Sequence, residues 1–258
     1  MRKTSLVTLL MALALFVAPS VQAATAFADP QFDALWHTGE AITPNFWGPL
    51  VNASGSRTQE YKDAPGGNRL VQYFDKGRME LTNGQVTSGL LAKEMVMGQI
   101  QTGDSTFTAL MPANIPVAGD PNGQGATFID VYGARTLILA EVPRDTGGSV
   151  HLAIKNHKGV NLKPVDGLAT TGYDDATKHN IYSKFVDYRD KAGLSTIGYA
   201  ISEPFLSYFD VGGKPSMYPV VVQIFERRIL TYDLIGNVEM GNVGRQYFAW
   251  RNNGAQLS

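Results

Sequence analysis

The strongest constraint on this chain is a segment that it spells twice. Val71-Gln72-Tyr73-Phe74-Asp75-Lys76 returns as Val222-Gln223-Ile224-Phe225-Glu226-Arg227, an offset of 151. Met79 and Leu81 then align with Leu230 and Tyr232. One extra residue near Ile235 shifts the offset to 152, where Val86 and Gly89 align with Val238 and Gly241. In Val-Gln-aromatic-Phe, alternate side chains face opposite sides of a strand. An acidic–basic pair makes the turn, a second alternating strand returns, and a Gly-containing corner leads into a stretch with helical leanings, Leu90 to Met97 and Val243 to Trp250. A lone hairpin of this size is marginal in water, so each unit must lean on its helix or on a neighbour. The plain alternative, chance similarity of two hairpins, has to explain a matched register over roughly 20 positions.

Most of the chain is written in short runs of Val, Ile, Thr, Tyr and Phe between Gly, Pro, Asn and Asp, which is the pattern of strands and turns. The expected strands are Leu70 to Asp75, Arg78 to Thr82, Ala126 to Tyr132, Thr136 to Val142, Ser149 to Ile154, Pro219 to Phe225 and Ile229 to Tyr232. Helices are expected at Gln31 to Trp36, at Ser88 to Met97, and at Ile181 to Lys191 behind Asn180 as a cap. The expected fold is therefore α+β and β-dominated, two hairpin–helix units flanking a small, sandwich-like β-sheet insert. The divisions are 1–23, 24–100, 101–175 and 176–258.

Residues 1–23 have the form of an export signal. Arg2 and Lys3 precede an uncharged stretch, Leu6 to Ala18, and Val21-Gln22-Ala23 places small residues where a signal peptidase cuts. The apolar stretch is about 13 residues, short of the roughly 20 that a membrane-crossing helix needs. Cleavage near Ala24 is expected, with a cut after Ala26 as the alternative, and the working protein is expected outside the cytoplasm. Removal of Arg2 and Lys3 leaves 20 Lys and Arg against 23 Asp and Glu, a net charge of −3. No basic block is present, which argues against nucleic acid and against an electrostatic hold on anionic lipid. There is no Cys, so neither thiol catalysis nor Cys-based zinc is available, and the fold must stand without disulfides.

The repeat meets a family at Leu194 to Pro204, Val222 to Arg228 and Val238 to Gly244. These stretches resemble the LGFP-type repeat of bacterial cell-surface proteins, which pairs a Leu-Gly-aromatic-Pro corner with a "Gln-x-Phe-Glu" strand and a later Gly corner. The mature chain also resembles a group of exported bacterial proteins sharing the blocks seen here as Val71 to Glu80, Lys178 to Ile181 and Ile201 to Arg251. Two departures from the LGFP pattern stand out. Ala200 and Ile197 replace the corner's Pro and Leu, and the first copy keeps only Gly48-Pro49. The resemblance implies a hairpin–helix fold and attachment to the cell wall.

The signatures H-E-x-x-H, G-x-S-x-G and S-x-x-K and a phosphate-binding Gly loop are missing, so zinc-peptidase, serine-hydrolase and nucleotide chemistry lack their usual marks. His151 and His157 lie six apart and would flank a hairpin turn; a shared metal is the sharper reading and two surface histidines the plainer one. Asp174, Asp175 and His179 form the best cluster for a carboxylate or His–Asp site, weighed against a role in starting a helix. Asp120-Pro121-Asn122-Gly123 has the look of a calcium loop but lacks the downstream Glu. Trp36, Trp47 and Trp250 are the rings expected to stack on sugars if exposed. The resulting expectation is a non-catalytic exported binding protein without a cofactor. Its partner would be cell-wall or extracellular glycan, or another surface protein. The alternative is an exported wall hydrolase with a cryptic carboxylate or His site.

Overall fold

The computed structural model describes residues 27–51, 56–156 and 159–253; the expected export signal and His157 lie outside them. The chain opens with α1 (Pro30–Ile42), started by Asp29, whose carboxylate accepts from Gln31 N, with Pro30 at the first helical position. Next come β1 (Ser56–Glu60), β2 (Asn68–Phe74), β3 (Gly77–Thr82), β4 (Gln85–Ser88), α2 (Leu91–Met97), β5 (Gln99–Gln101) and β6 (Phe107–Ala109). The middle holds α3 (Phe128–Gly133), α4 (Arg135–Ile138), β7 (Ser149–Asn156) and β8 (Gly159–Asp174). The last third is β9 (His179–Tyr182), α5 (Ser183–Ala192), α6 (Leu194–Ile197), β10 (Phe205–Val211), β11 (Lys214–Ile224), β12 (Ile229–Tyr232), β13 (Val238–Met240) and α7 (Val243–Asn253). The fold is α+β with strands dominant.

Among the described residues the strands form a four-stranded sheet, β1-β2-β3-β4, a seven-stranded sheet, β13-β12-β11-β10-β7-β8-β9, and the separate pair β5-β6. Neighbours are antiparallel except β7 and β10, which run parallel. Two expectations are corrected here. The middle segment is not an independent small sheet, because β7 and β8 extend the C-terminal sheet beside β10. Ala126 to Tyr132 and Thr136 to Val142 are not strands: they hold α3, started by a reciprocal cap between Thr127 and Asp130 that outweighs its β-prone composition, and α4, which follows it directly without a side-chain cap.

The two copies of the repeat have one wiring. In each, three antiparallel strands lead into a helix, β2-β3-β4-α2 and β11-β12-β13-α7, and an extra strand, β1 or β10, pairs with the first of them. Their corners match bond for bond. Lys76 N donates to the Trp47 carbonyl at 3.0 Å and Arg227 N to that of Ile197 at 3.1 Å; Asp75 N donates to Pro49 O and Glu226 N to Tyr199 O. Gly48 and Gly198 both have positive φ, 68° and 84°, and a Cβ at either would crowd against the Cβ of the acidic turn residue, so both features call for glycine.

Both faces of the strands are covered. Val71, Tyr73, Val222 and Ile224 pack with α2, α3 and α7, including Trp250. Phe74, Met79, Val221 and Phe225 pack on the other side with α1, α5 and α6, including Phe32 and Phe185, and with Trp47 from the segment after α1. The helices of the repeat reach across between copies: α7 lies on β2 and β3 and also touches α2, and Lys93 N of α2 donates to the Glu226 carbonyl of the second copy's hairpin. A buried charge network crosses the same boundary. Arg78 and Arg69 bind Glu80, Arg78 reaches Glu94 at 3.3 Å, and Tyr247 of the second copy donates to Glu94.

Candidate functional site: a groove built on Glu203

A groove of about 500 Å³ opens where β7 and β10 begin side by side. Its apolar part is Ile138, Val142, Pro143, Pro204 and Phe205; its polar part is Arg144, Asp145, Ser149, His151, Thr170, Asn180 and Glu203. The volume falls within the roughly 300–1,000 Å³ of small-molecule sites.

Glu203 is the fixed point of this site. Its backbone N–H donates to the Ile138 carbonyl, and its side chain, 22% exposed, is held by three donors. Oε1 accepts from Asn180 N at 2.8 Å and lies 3.2 Å from His179 Nδ1, while Oε2 accepts from Asn180 Nδ2 at 3.3 Å. Asn180 in turn fastens the outer wall: its Oδ1 accepts from Asp145 N at 2.7 Å and its Nδ2 also donates to the Pro143 carbonyl. Thr170 closes the strap by donating to the Asp145 carbonyl at 2.6 Å. Asn180 therefore does not cap α5 as its sequence position suggested; Tyr182 occupies the cap position with no side-chain bond.

Behind the groove stands Gln223, the glutamine of the repeat. It is fully buried, donates to the carbonyls of Asn180 and Ser202, and accepts from Tyr182 N. Ser202 Oγ accepts from Ile224 N. One repeat residue thus positions both flanks of Glu203.

Asp174, Asp175 and His179 do not converge. Asp174 is buried, pairs with Arg189 and accepts from Ala200 N, which ties α5 to the corner. Exposed Asp175 pairs with Arg144 at 2.9 Å. His179, 3% exposed, stands behind the groove and is turned onto Glu203, while Asp175 touches the groove residue Arg144 from the solvent side. The tryptophan expectation is also corrected. Trp47 and Trp250 are 0% and 1% exposed, taken into the two cores because ring burial is worth more than surface display. Trp36 is half-buried against Phe27 and His37. The exposed aromatics include Tyr199, Tyr208, Tyr218 and Phe107 instead.

His151 lies on β7 and lines the groove. Asp120 serves the β10–β11 turn, its carboxylate accepting from Gly212 N and Gly213 N. Among the described residues no group of three or more His, Asp or Glu is placed to hold a metal ion, and no helix is long and apolar enough to cross a membrane. Sequence reasoning missed Glu203, which sits in an irregular Ser-Glu-Pro stretch with its imidazole partner 24 residues away. The only signal was its closeness to the repeat corner. Comparison with family models, curated proteins and solved structures finds no match to this chain.

Proposed function

We propose that the chain is a non-catalytic binding protein that works outside the cytoplasm and takes a segment of cell-wall or extracellular glycan in the groove at Glu203. One observation carries the reading: the Glu203 carboxylate is part-exposed yet committed to three protein donors. A carboxylate so fixed is a preorganised acceptor for hydroxyl groups, and the half-buried Val142 and exposed Pro143 of the same groove suit the apolar face of a sugar ring. The export-type N-terminus and the LGFP-like blocks support the location.

Retention of the mature chain on isolated cell walls and on glycan arrays tests this. Glu203→Gln, which keeps the shape and removes the charge, is expected to weaken retention about tenfold, with the fold intact by circular dichroism. Full retention by the variant, or no retention by the parent on any wall or glycan, contradicts the proposal; capture of a surface protein in place of glycan would move the partner class.

A hydrolase is the second reading, favoured by the Glu203–His179 contact at the groove, where a carboxylate and an imidazole could share a proton. Release of soluble fragments from walls by the parent and not by Glu203→Gln would establish it; unchanged walls would remove it.

A further inference from the structure

Arg228 is fully buried, and its environment supplies almost nothing for its charge. The guanidinium lies over the Trp47 ring, 4.6 Å from the ring centroid. Among the described residues its guanidinium makes one hydrogen bond, a long one from Nη1 to the Arg227 carbonyl at 3.4 Å. Neither Nε nor Nη2 has an acceptor, and neither does Nε1 of Trp47. Among the described residues no carboxylate pairs with Arg228, and the strongest charged influence on it is another cation, Arg227. Tyr188, on α5, is the third neighbour that bears on it. Burial, then Arg227, pulls its pKa down to about 9, which still leaves it charged at neutral pH.

An uncompensated buried cation is among the most expensive features that a core can hold, and arginine cannot escape by losing its proton near neutrality. The position is nevertheless built for it. Gly77, the repeat counterpart of Arg228, lies against the guanidinium, and a Cβ there would come within 2.1 Å of Nη1. The unpartnered atoms, Nε and Nη2, are the two that form the parallel fork with which arginine grips anions. Arg228 and Trp47 are fully buried and lie outside the Glu203 groove, so only something small could sit at the fork.

We propose that the Nε–Nη2 fork of Arg228 binds a small inorganic monoanion such as chloride as a structural ligand at the junction of the two repeat copies. A buried water could accept these bonds but would leave the charge uncompensated, which separates the two ideas experimentally.

Thermal unfolding of the mature protein is measured at constant ionic strength with chloride or nitrate exchanged for gluconate, which is too large for the site. A ligand bound only by the folded state raises the midpoint with its concentration, here by about 2–6 °C up to about 150 mM. Arg228→Met should show no such rise. A flat response in the parent, or an equal rise in parent and variant, overturns the proposal. Should the variant fail to fold, parent crystals soaked in bromide decide: an anomalous peak within hydrogen-bonding distance of Nε and Nη2 supports the site, and its absence overturns it.

Discussion

The backbone N–H of Lys93 donates to the carbonyl of Glu226 at 3.0 Å, so the first turn of a helix in one repeat copy caps the hairpin of the other. The exchange is returned by Gly244 and Arg245, whose N–H groups both donate to the Asp75 carbonyl. Side chains repeat it, Lys93 with Glu226 at 3.0 Å and Arg245 with Asp75. Each helix satisfies its otherwise orphaned N-terminal donors on the partner copy. The two copies therefore behave as the halves of an isologous dimer folded within one chain, and neither hairpin is complete alone.

Matched corners should respond alike. Gly48 and Gly198 each combine positive φ with a Cβ position 2.9 and 2.8 Å from the side chain of the turn residue. Alanine at either is expected to cost about 1–3 kcal/mol through backbone strain and crowding. The two losses should be similar, in one cooperative transition, by urea denaturation. A loss confined to one corner, or two separate transitions, would break the equivalence.

The charge network predicts opposite acid responses from two neighbouring carboxylates. Burial alone would lift Glu80, but Arg78 and then Arg69 outweigh it and hold its pKa below the ordinary value. At Glu94 burial prevails over Arg78 and the Tyr247 hydrogen bond, and the pKa is raised. Stability from Glu80 is thus present above its unfolded pKa of about 4.3 and lost as pH falls through the lower folded value. The contribution of Glu94 has the reverse sign, present below its unfolded pKa and lost as pH rises through the folded one. Glu80→Gln should flatten the acid limb of stability against pH and cost roughly 3–5 kcal/mol at neutrality, because Arg69 and Arg78 lose their shared carboxylate. Glu94→Gln should steepen the acid limb. Unfolding free energies between pH 3 and 8 check both signs.

The repeat was legible because its turn and strand residues recur in order, and alternation in Val-Gln-Tyr-Phe marks a strand covered on both faces. The exchange of α2 and α7 was not, since nothing in either helix states which hairpin it will cover. At Thr127 and Asp130 the cap was written plainly as Thr-x-x-Asp, yet Phe128, Ile129 and Val131 made the segment look like a strand. Trp47 and Trp250 show the limit of composition, which counts aromatic rings without saying which the core will take. Glu203 was invisible for a different reason: its partners His179 and Asn180 meet it only through the pairing of β8 with β9 and the buried bonds of Gln223.

Gln223 connects scaffold to groove, so its removal should be felt in both. Gln223→Leu leaves the carbonyls of Asn180 and Ser202 and the N–H of Tyr182 without their buried partner. A cost of about 2–4 kcal/mol is expected, together with weaker retention on glycan as the flanks of Glu203 loosen. Unchanged stability would remove Gln223 from the account of the site.

The exchanged helices are tested most directly at Gly244, near the start of α7. An added Cβ there would meet the Phe74 carbonyl at 2.0 Å and the Gly77 backbone at 2.5 Å, both in the hairpin of the other copy. Helix propensity alone predicts that Gly244→Ala gains about 1 kcal/mol. Crowding against the partner hairpin predicts a loss of about 1–3 kcal/mol instead. Equilibrium urea unfolding of Gly244→Ala gives the answer: a loss, with faster hydrogen exchange in β2 and β3, is the expected result, and a gain in stability would contradict the exchange of helices between the copies.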